Sequence, residues 1–371
     1  MNKVRFGDVV SEVKLNVDRS CNPYAHYVAG DHMDSEDLTI HRYGNFATDD
    51  VGPAFTRIFK PGQILYGSRR TYLKKVAVAS FEGICANTTF VLESKDESVF
   101  DNRLLPFVIL SDKFTQWSIS HSKGSTNPYV LFSDLASFEF TLPPIEEQRV
   151  LADKLWAAYK LKESYKNLLV ATDEMVKSQF IEMFGCKTPN VKVGDVSSVV
   201  SGKSISKDLE DIPGDIAYVN VADFNLPENN KYIQVSSRYV TSENANSSKL
   251  ISPGTIIFAK NGAASMSNKK RLTAIECCID MNTLAIIPNS QKVDSEFLYA
   301  IFDSLDLSFY VRQGAVPSIS PHTIEGIEIY LPSFDEQLSF SKICKQTDKS
   351  KFELRKSIEA IDAVIKSLIN G

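Results

Sequence analysis

Two short runs of this chain crowd cations and amides into what read as loops. "GSRRTYLKK" sets Arg69, Arg70, Lys74 and Lys75 around Tyr72. "AKNGAASMSNKKR" sets Lys260, Lys269, Lys270 and Arg271 beside Asn261 and Asn268. Such groups neutralise phosphates; Arg and Lys also donate to the acceptor edge of guanine, and Asn matches adenine. One such loop reads equally well as solvated hairpin charge. Two at similar places in an otherwise acidic chain favour phosphate and base-edge contact. A further pair of stretches, "SHSKGSTNPY" with Lys123 and "VRQGAVPSIS" with Arg312, joins glycine and small polar residues to a cation. Glycine there either lets backbone N–H groups approach a phosphate closely or serves a structural turn.

Motifs that would carry catalysis are incomplete. "NPY" at Asn127–Tyr129 matches part of an adenine-methyltransferase motif but lacks its second proline, and no Gly-rich cofactor loop precedes it. It reads as a turn entering a strand. "ESK" at Glu93–Lys95 lacks the upstream Pro-Asp of a metal-dependent nuclease. "SGKS" at Ser201–Ser204 is too short for a phosphate loop. His26, His32 and His41 share a segment with no zinc-like spacing to cysteine, so no metal site and no catalytic residue is expected. Cys277 and Cys278 suit a reduced, partly buried strand better than a disulfide. The 371 residues, with a formal net charge of -5, suffice for two domains with real cores but not for a surface coated in positive charge. No apolar run reaches the ~20 residues of a membrane span. The N-terminus lacks the apolar stretch of a signal peptide, and a cytoplasmic protein without membrane contact is expected.

The elements that must hold these loops come in duplicate. "VRFGDV" at Val4 matches "VKVGDV" at Val191, "FKPGQILYG" at Phe59 matches "ISPGTIIFA" at Ile251, and "ANTTFVL" at Ala86 matches "MNTLAII" at Met281. The stretches ending "LPPIEEQ" at Gln148 and "LPSFDEQ" at Gln337 complete the series, at offsets of about 187 to 195 residues. Four matches in one order make the chain a duplicated unit. Each copy opens with a mixed α/β part. "QILYG", "KVAVASF", "TTFVL", "TIIFA", "CCID" and "TLAIIP" read as strands, with shorter helices in "RLLPFVILSDKFTQWSI" and "SEFLYAIFDSLDLSFYV".

Each copy closes with a stretch of ~40 residues free of internal proline and glycine, enough for a helix of about 60 Å. Leu151, Leu155, Ala158, Tyr165, Leu169, Val176 and Phe180 form an apolar seam in the first. In the second, Phe340, Cys344, Thr347, Lys351, Leu354, Ile358, Ile361, Ile365 and Leu368 alternate by four and three. Both suit a mutual coiled coil with a polar middle; the alternative is two amphipathic helices, each packed on its own domain. The repeated phrase is the junction into each helix: proline suits the first turn, and Glu146, Glu147, Asp335 and Glu336 complement the positive end of the dipole.

"LPPIEEQRVLADKL" running into a helix that ends "SQFIEMFG" resembles the specificity subunits of type I restriction-modification systems. "GDHMDSEDLTIHRYGN" with "PGQILYGSRRTYLKKVAVASFEGICA", and "SGKSISKDLEDIPGDIAYVNVADF", are similar to two of the family's target-recognition domain types. "GICANTTFVL" departs from the family's usual wording. The resemblance implies an α/β chain with two mixed target-recognition domains in pseudo-twofold repeat, separated by two long helices in an antiparallel coiled coil. The divisions expected are 1–143 and 186–332 for recognition, with 144–185 and 333–371 for the helices. It implies a non-catalytic subunit binding a bipartite double-stranded DNA target, one half-site per domain. Two methyltransferase subunits would bring S-adenosylmethionine, and restriction subunits would bring ATP and magnesium; this chain would hold no cofactor. A system with one fused methyltransferase-nuclease partner, or a scaffold that binds no DNA, are the alternatives.

Overall fold

The computed structural model describes residues 2–205, 214–245 and 250–371. Residues 206–213, within the "SGKSISKDLEDIPGDIAYVNVADF" stretch, lie outside the described residues. The chain forms two compact units, Met1–Asn167 with Leu354–Gly371, and Leu168–Glu353.

The first unit holds two four-stranded sheets. One runs in the order Val10–Glu12, Thr89–Ser94, Ile64–Gly67, Val76–Val78, all antiparallel. The other orders Gly44–Asn45, His26–Val28, Gly83–Ala86 and Phe55–Phe59, with its two middle strands parallel. The second unit repeats the plan. Ser197–Ser201, Thr283–Pro288, Ile256–Ala259, Lys270–Thr273 and Tyr232–Ile233 make one sheet. Tyr239–Val240, Ile216–Val219 and Cys277–Ile279 make the other. In both units a strand at the start of the repeat pairs antiparallel with the strand just before the helix junction: Asn2–Arg5 with Glu139–Leu142, and Val191–Lys192 with Glu328–Ile329.

Local chemistry accounts for these elements. Pro61-Gly62 and Pro253-Gly254 put glycine at φ +85° just ahead of Ile64 and Ile256. Proline followed by a positive-φ glycine is the demand of a type II turn, so each pair reverses the chain into a core strand. "RLLPFVILSDKFTQWSI" breaks into Leu105–Leu110 and Asp112–Ser120, because Ser111 is extended and its hydroxyl caps the second helix at Phe114 N. Cys277 and Cys278 are buried in a strand.

The two long helices are Ile145–Phe184 and Phe334–Asn370. Every seam position named above is buried or half-buried. Within the first unit Leu155, Tyr159 and Ile365 share a core, and Lys162 pairs with Asp362 at 2.6 Å. Within the second, the Phe184 and Phe340 rings lie 5.8 Å apart and Lys351 pairs with Asp173 at 2.5 Å. In each unit, later residues of the first helix meet earlier residues of the second, so the segments run antiparallel. Both alternatives for the helices hold at once, because each also packs on its unit's globular part. From the first helix Trp156 meets Phe107 at 5.3 Å, and from the second Phe340 meets Phe297 at 6.3 Å.

The repeated phrase has a further role in its glutamine. Gln148 is 1% exposed; its amide oxygen accepts from Asp101 N at 3.0 Å, and its nitrogen donates to Val99 O at 2.9 Å and Pro143 O at 2.8 Å. Gln337, also 1% exposed, accepts from Asp294 N at 2.9 Å and donates to Pro332 O at 3.0 Å and Lys292 O at 3.5 Å. Each glutamine ties the helix's first turn to the segment entering the unit's internal helices. Glu336 adds a capping bond from Ser333 N at 3.0 Å, where the first junction has Pro144.

Candidate nucleic-acid interface

The fold joins stretches that the sequence holds about sixty residues apart. In the first unit the chain leaves the strand Ile64–Gly67 and runs beside the segment 123–129. Arg69 bridges to Tyr129, Arg70 N donates to Pro128 O at 2.7 Å, and Val130 N donates to Ser68 O at 3.0 Å. Lys123 and Tyr129 exchange backbone bonds at 2.7 and 2.9 Å, closing the segment as a hairpin.

The second unit repeats this bond for bond. Asn261 bridges to Ser318, Gly262 N donates to Pro317 O at 2.8 Å, and Ile319 N donates to Lys260 O at 3.0 Å. Arg312 and Ser318 exchange bonds at 2.9 and 3.2 Å. Lys260 therefore stands where Ser68 does, Asn261 where Arg69 does, Gly262 where Arg70 does, and Arg312 where Lys123 does. Arg70 and Gly262 both have positive φ, 51° and 70°, with ψ 54° in the first and -166° in the second. An arginine at positive φ is strained, and its partner in the repeat is a glycine. Lys74 and Asn268 end the following turns, again left-handed at φ 47° and 55°.

The candidate residues separate by environment. Arg69, Arg70 and Tyr72 are exposed, as are Lys123, Lys269 and Arg312. Lys123 pairs with Asp134 at 3.2 Å, and Lys269 donates to Asn225 Oδ1 at 2.5 Å. Lys260, half-buried, donates to Ser201 Oγ at 3.2 Å, and Asn261 donates to Asn282 Oδ1 at 3.2 Å. Lys74 is held between Glu36 at 3.2 Å and Asp112 at 3.3 Å, and Lys75 donates to Gly30 O at 2.5 Å, so both serve partly as anchors.

Two of the expected contacts are engaged within the fold. Lys270 and Arg271 lie in the strand Lys270–Thr273, opposite Phe258 and Ile257, at the register that Val76 and Ala77 occupy in the first unit. Lys270 is 3% exposed and donates to Leu305 O at 2.6 Å; burial pushes its ammonium down to about 8 despite Asp303 and Asp306. Arg271 donates to the carbonyls of Asn229 at 2.9 Å, Phe224 at 2.8 Å and Lys270 at 2.9 Å, and burial lowers its pKa as well. Their charges are spent on the fold.

A different charged group joins each unit's sheets to its helix segments. Asp37 accepts from Tyr159 OH at 2.6 Å, Thr39 N at 2.9 Å and Lys166 Nζ at 3.0 Å, with His41 Nε2 at 3.3 Å. Burial raises the Asp37 carboxyl, but those donors outweigh it and hold the pKa at about 2. Lys166 also pairs with Glu163 at 2.8 Å, supplying positive charge to a place where Asp37, His41 and Glu163 converge. In the second unit Lys231 meets Glu296 at 2.7 Å and Asp348 at 2.6 Å, and Tyr232 OH donates to the same carboxylates at 2.7 and 2.8 Å. Lone Asp, Lys and Tyr letters tens of residues apart gave no sequence signal for either cluster.

The chain matches the family model of the type I restriction modification DNA specificity domain over residues 38–169 and 187–362. It is 26% identical over 184 residues to the type I restriction enzyme EcoDI specificity subunit of Escherichia coli, spanning 48% of this chain and 40% of that protein. It thus spans less than half the length of the curated relative it matches. The type I restriction-modification S subunit of M. genitalium shares the fold, with a TM-score of 0.61 at 14% identity over 99% of this chain and 94% of that one. A chain from work on complex assembly and conformational transition of the type I R-M system gives 0.59 at 18% identity, over 99% and 96%. With both halves matched by the family model and the same loop pair built into each, the chain belongs to the type I restriction modification DNA specificity domain family.

Proposed function

We propose that this chain is the sequence-specific DNA-recognition subunit of a restriction-modification complex, binding a bipartite target with one half-site per recognition domain. The observation that carries the reading is the paired loop. Each unit presents the same backbone scaffold, yet the side chains set on it differ: Arg69, Arg70 and Lys123 in one, Asn261, Gly262 and Arg312 in the other. A shared scaffold with different hydrogen-bonding side chains suits two readers of two different short sequences. Residues 1–143 and 186–332 are the recognition domains, and 144–185 and 333–371 the helices that join them.

The chain acts by binding, and the chemistry resides in its partners. Methyltransferase subunits, two per complex, would supply S-adenosylmethionine and adenine methylation; restriction subunits would supply ATP- and magnesium-dependent cleavage. Phosphate contact dominates protein–DNA affinity, and a chain of net charge -5 with few exposed clustered cations gains much of it from those partners. Among the described residues no helix is long and apolar enough to cross a membrane. Binding to a random duplex library by the chain alone and with co-purified subunits, at one salt concentration, tests this. The subunits should tighten binding and reveal a two-part motif; equal affinity without selection in both cases would refute it.

A further inference from the structure

Phe309 projects from the second unit beside the cations of its loop pair. It is 85% exposed, the most of any large apolar side chain among the described residues. Single exposed apolar residues are ordinary; the setting of this one is not. Its turn, Leu307–Tyr310, is pinned on both sides. Asp306 accepts from Ser308 N at 2.9 Å, Leu307 is 1% exposed with its N–H on Asn268 Oδ1 at 2.8 Å, and Val311 is 7% exposed. The ring therefore stands on a rigid mount. Three residues on, Arg312 enters the hairpin of the candidate interface. The turn packs against Ala263–Ser267, where Met266 is 43% exposed, and Val316, 64% exposed, tips the neighbouring hairpin. Phe309 and Met266 each precede a cation of the loops, Arg312 and Lys269, by three residues.

We infer that Phe309 is a wedge that enters the duplex between base pairs of the half-site read by the second unit. The inference rests on the DNA-recognition reading. Apolar side chains inserted at a base step unstack it and kink the helix. Pyrimidine–purine steps yield most readily, so the wedge selects sequence at a step that no polar group touches. Lys269 would hold a flanking phosphate. In the first unit the residue three before Lys123 is Ser120, so the wedge belongs to one half-site only.

The test uses the full chain with its co-purified subunits and a duplex selected by that complex, carrying 2-aminopurine at successive positions. Wild-type protein should raise fluorescence at one step of one half-site. F309A should abolish that rise, weaken binding roughly five- to 150-fold, and relax preference at that step alone; F309L should retain most of the signal. Selective binding by wild type with the same fluorescence and preference in F309A would overturn the wedge and leave the DNA reading standing. Loss of a co-purifying subunit in F309A, with no fluorescence change, would overturn it in favour of a protein contact. Absence of selective binding by wild type would overturn both readings.

Discussion

Replacing Gln148 by leucine keeps a side chain of similar bulk in the first junction and deletes three hydrogen bonds. The Asp101 N–H and the Val99 and Pro143 carbonyls lose their partner, and the site is too closed for Gln148 to be more than 1% exposed. Each lost bond costs about 1 kcal/mol net, and a stranded buried group up to about 3, for a total near 3–5 kcal/mol. Gln337→Leu should cost roughly 1 kcal/mol less, because one of its three bonds, at 3.5 Å, is at the limit of hydrogen bonding. Both tryptophans, Trp117 and Trp156, lie in the first unit, so their fluorescence reports its unfolding. With a urea m-value of about 2 kcal/mol/M, Gln148→Leu should lower that midpoint by about 2 M. Gln337→Leu should act mainly on the remaining transition seen by circular dichroism. A Gln148→Leu chain within about 0.5 kcal/mol of wild type would refute the account of why both junctions end in glutamine.

Asp37 titrates at about 2 in the folded chain, below the ordinary carboxylate value, so its stabilisation is full above about pH 4 and is lost as pH falls through 2. Acid unfolding of Asp37→Asn should lack that contribution, about 2 kcal/mol, and an unchanged acid limb would contradict the geometry around Tyr159 and Lys166. Lys270, held at about 8, opposes folding while protonated, so stability should rise between pH 8 and 10. Lys270→Met should flatten that rise and leave DNA affinity within about twofold, whereas a large affinity loss in a folded variant would restore Lys270 to the interface. Inserting one matched heptad near Leu161 and near Leu354 lengthens each helix by about 10 Å. If the helices set the spacer, the preferred target gains roughly three base pairs between unchanged half-sites, and retention of the original spacer would exclude that role.

Much of the fold is legible in the sequence because it rests on local signals. Proline-glycine turns announce the core strands, forty residues without proline or glycine announce the helices, and the repeat announces both at once. Register is less legible. "NKKR" reads as one basic run, yet the chain enters a strand in its middle, and only the pairing of that strand shows that Lys270 is buried and that Arg271, on the opposite face, is half-buried. The joining of Arg70 to Pro128 and of Gly262 to Pro317 depends on tertiary packing and leaves no trace in either stretch alone. Phe309 gave no signal, since an exposed ring and a core ring are the same letter. The glutamines of the repeated phrase were visible, but their partners, about fifty residues upstream, were not.

The central claim is that the two loop pairs read separate half-sites. Its most direct measurement is sequence selection from a random duplex library by the assembled complex, repeated with Arg70→Gly and with Arg312→Gln. Glycine keeps the left-handed backbone of Arg70 without strain, so only the side chain is lost. Wild type should select two specific blocks around a non-specific spacer. Arg70→Gly should erase information in one block, at about 1–3 kcal/mol per lost base contact, and Arg312→Gln in the other. A single unbroken motif, or the same change in both blocks from either substitution, would contradict the account.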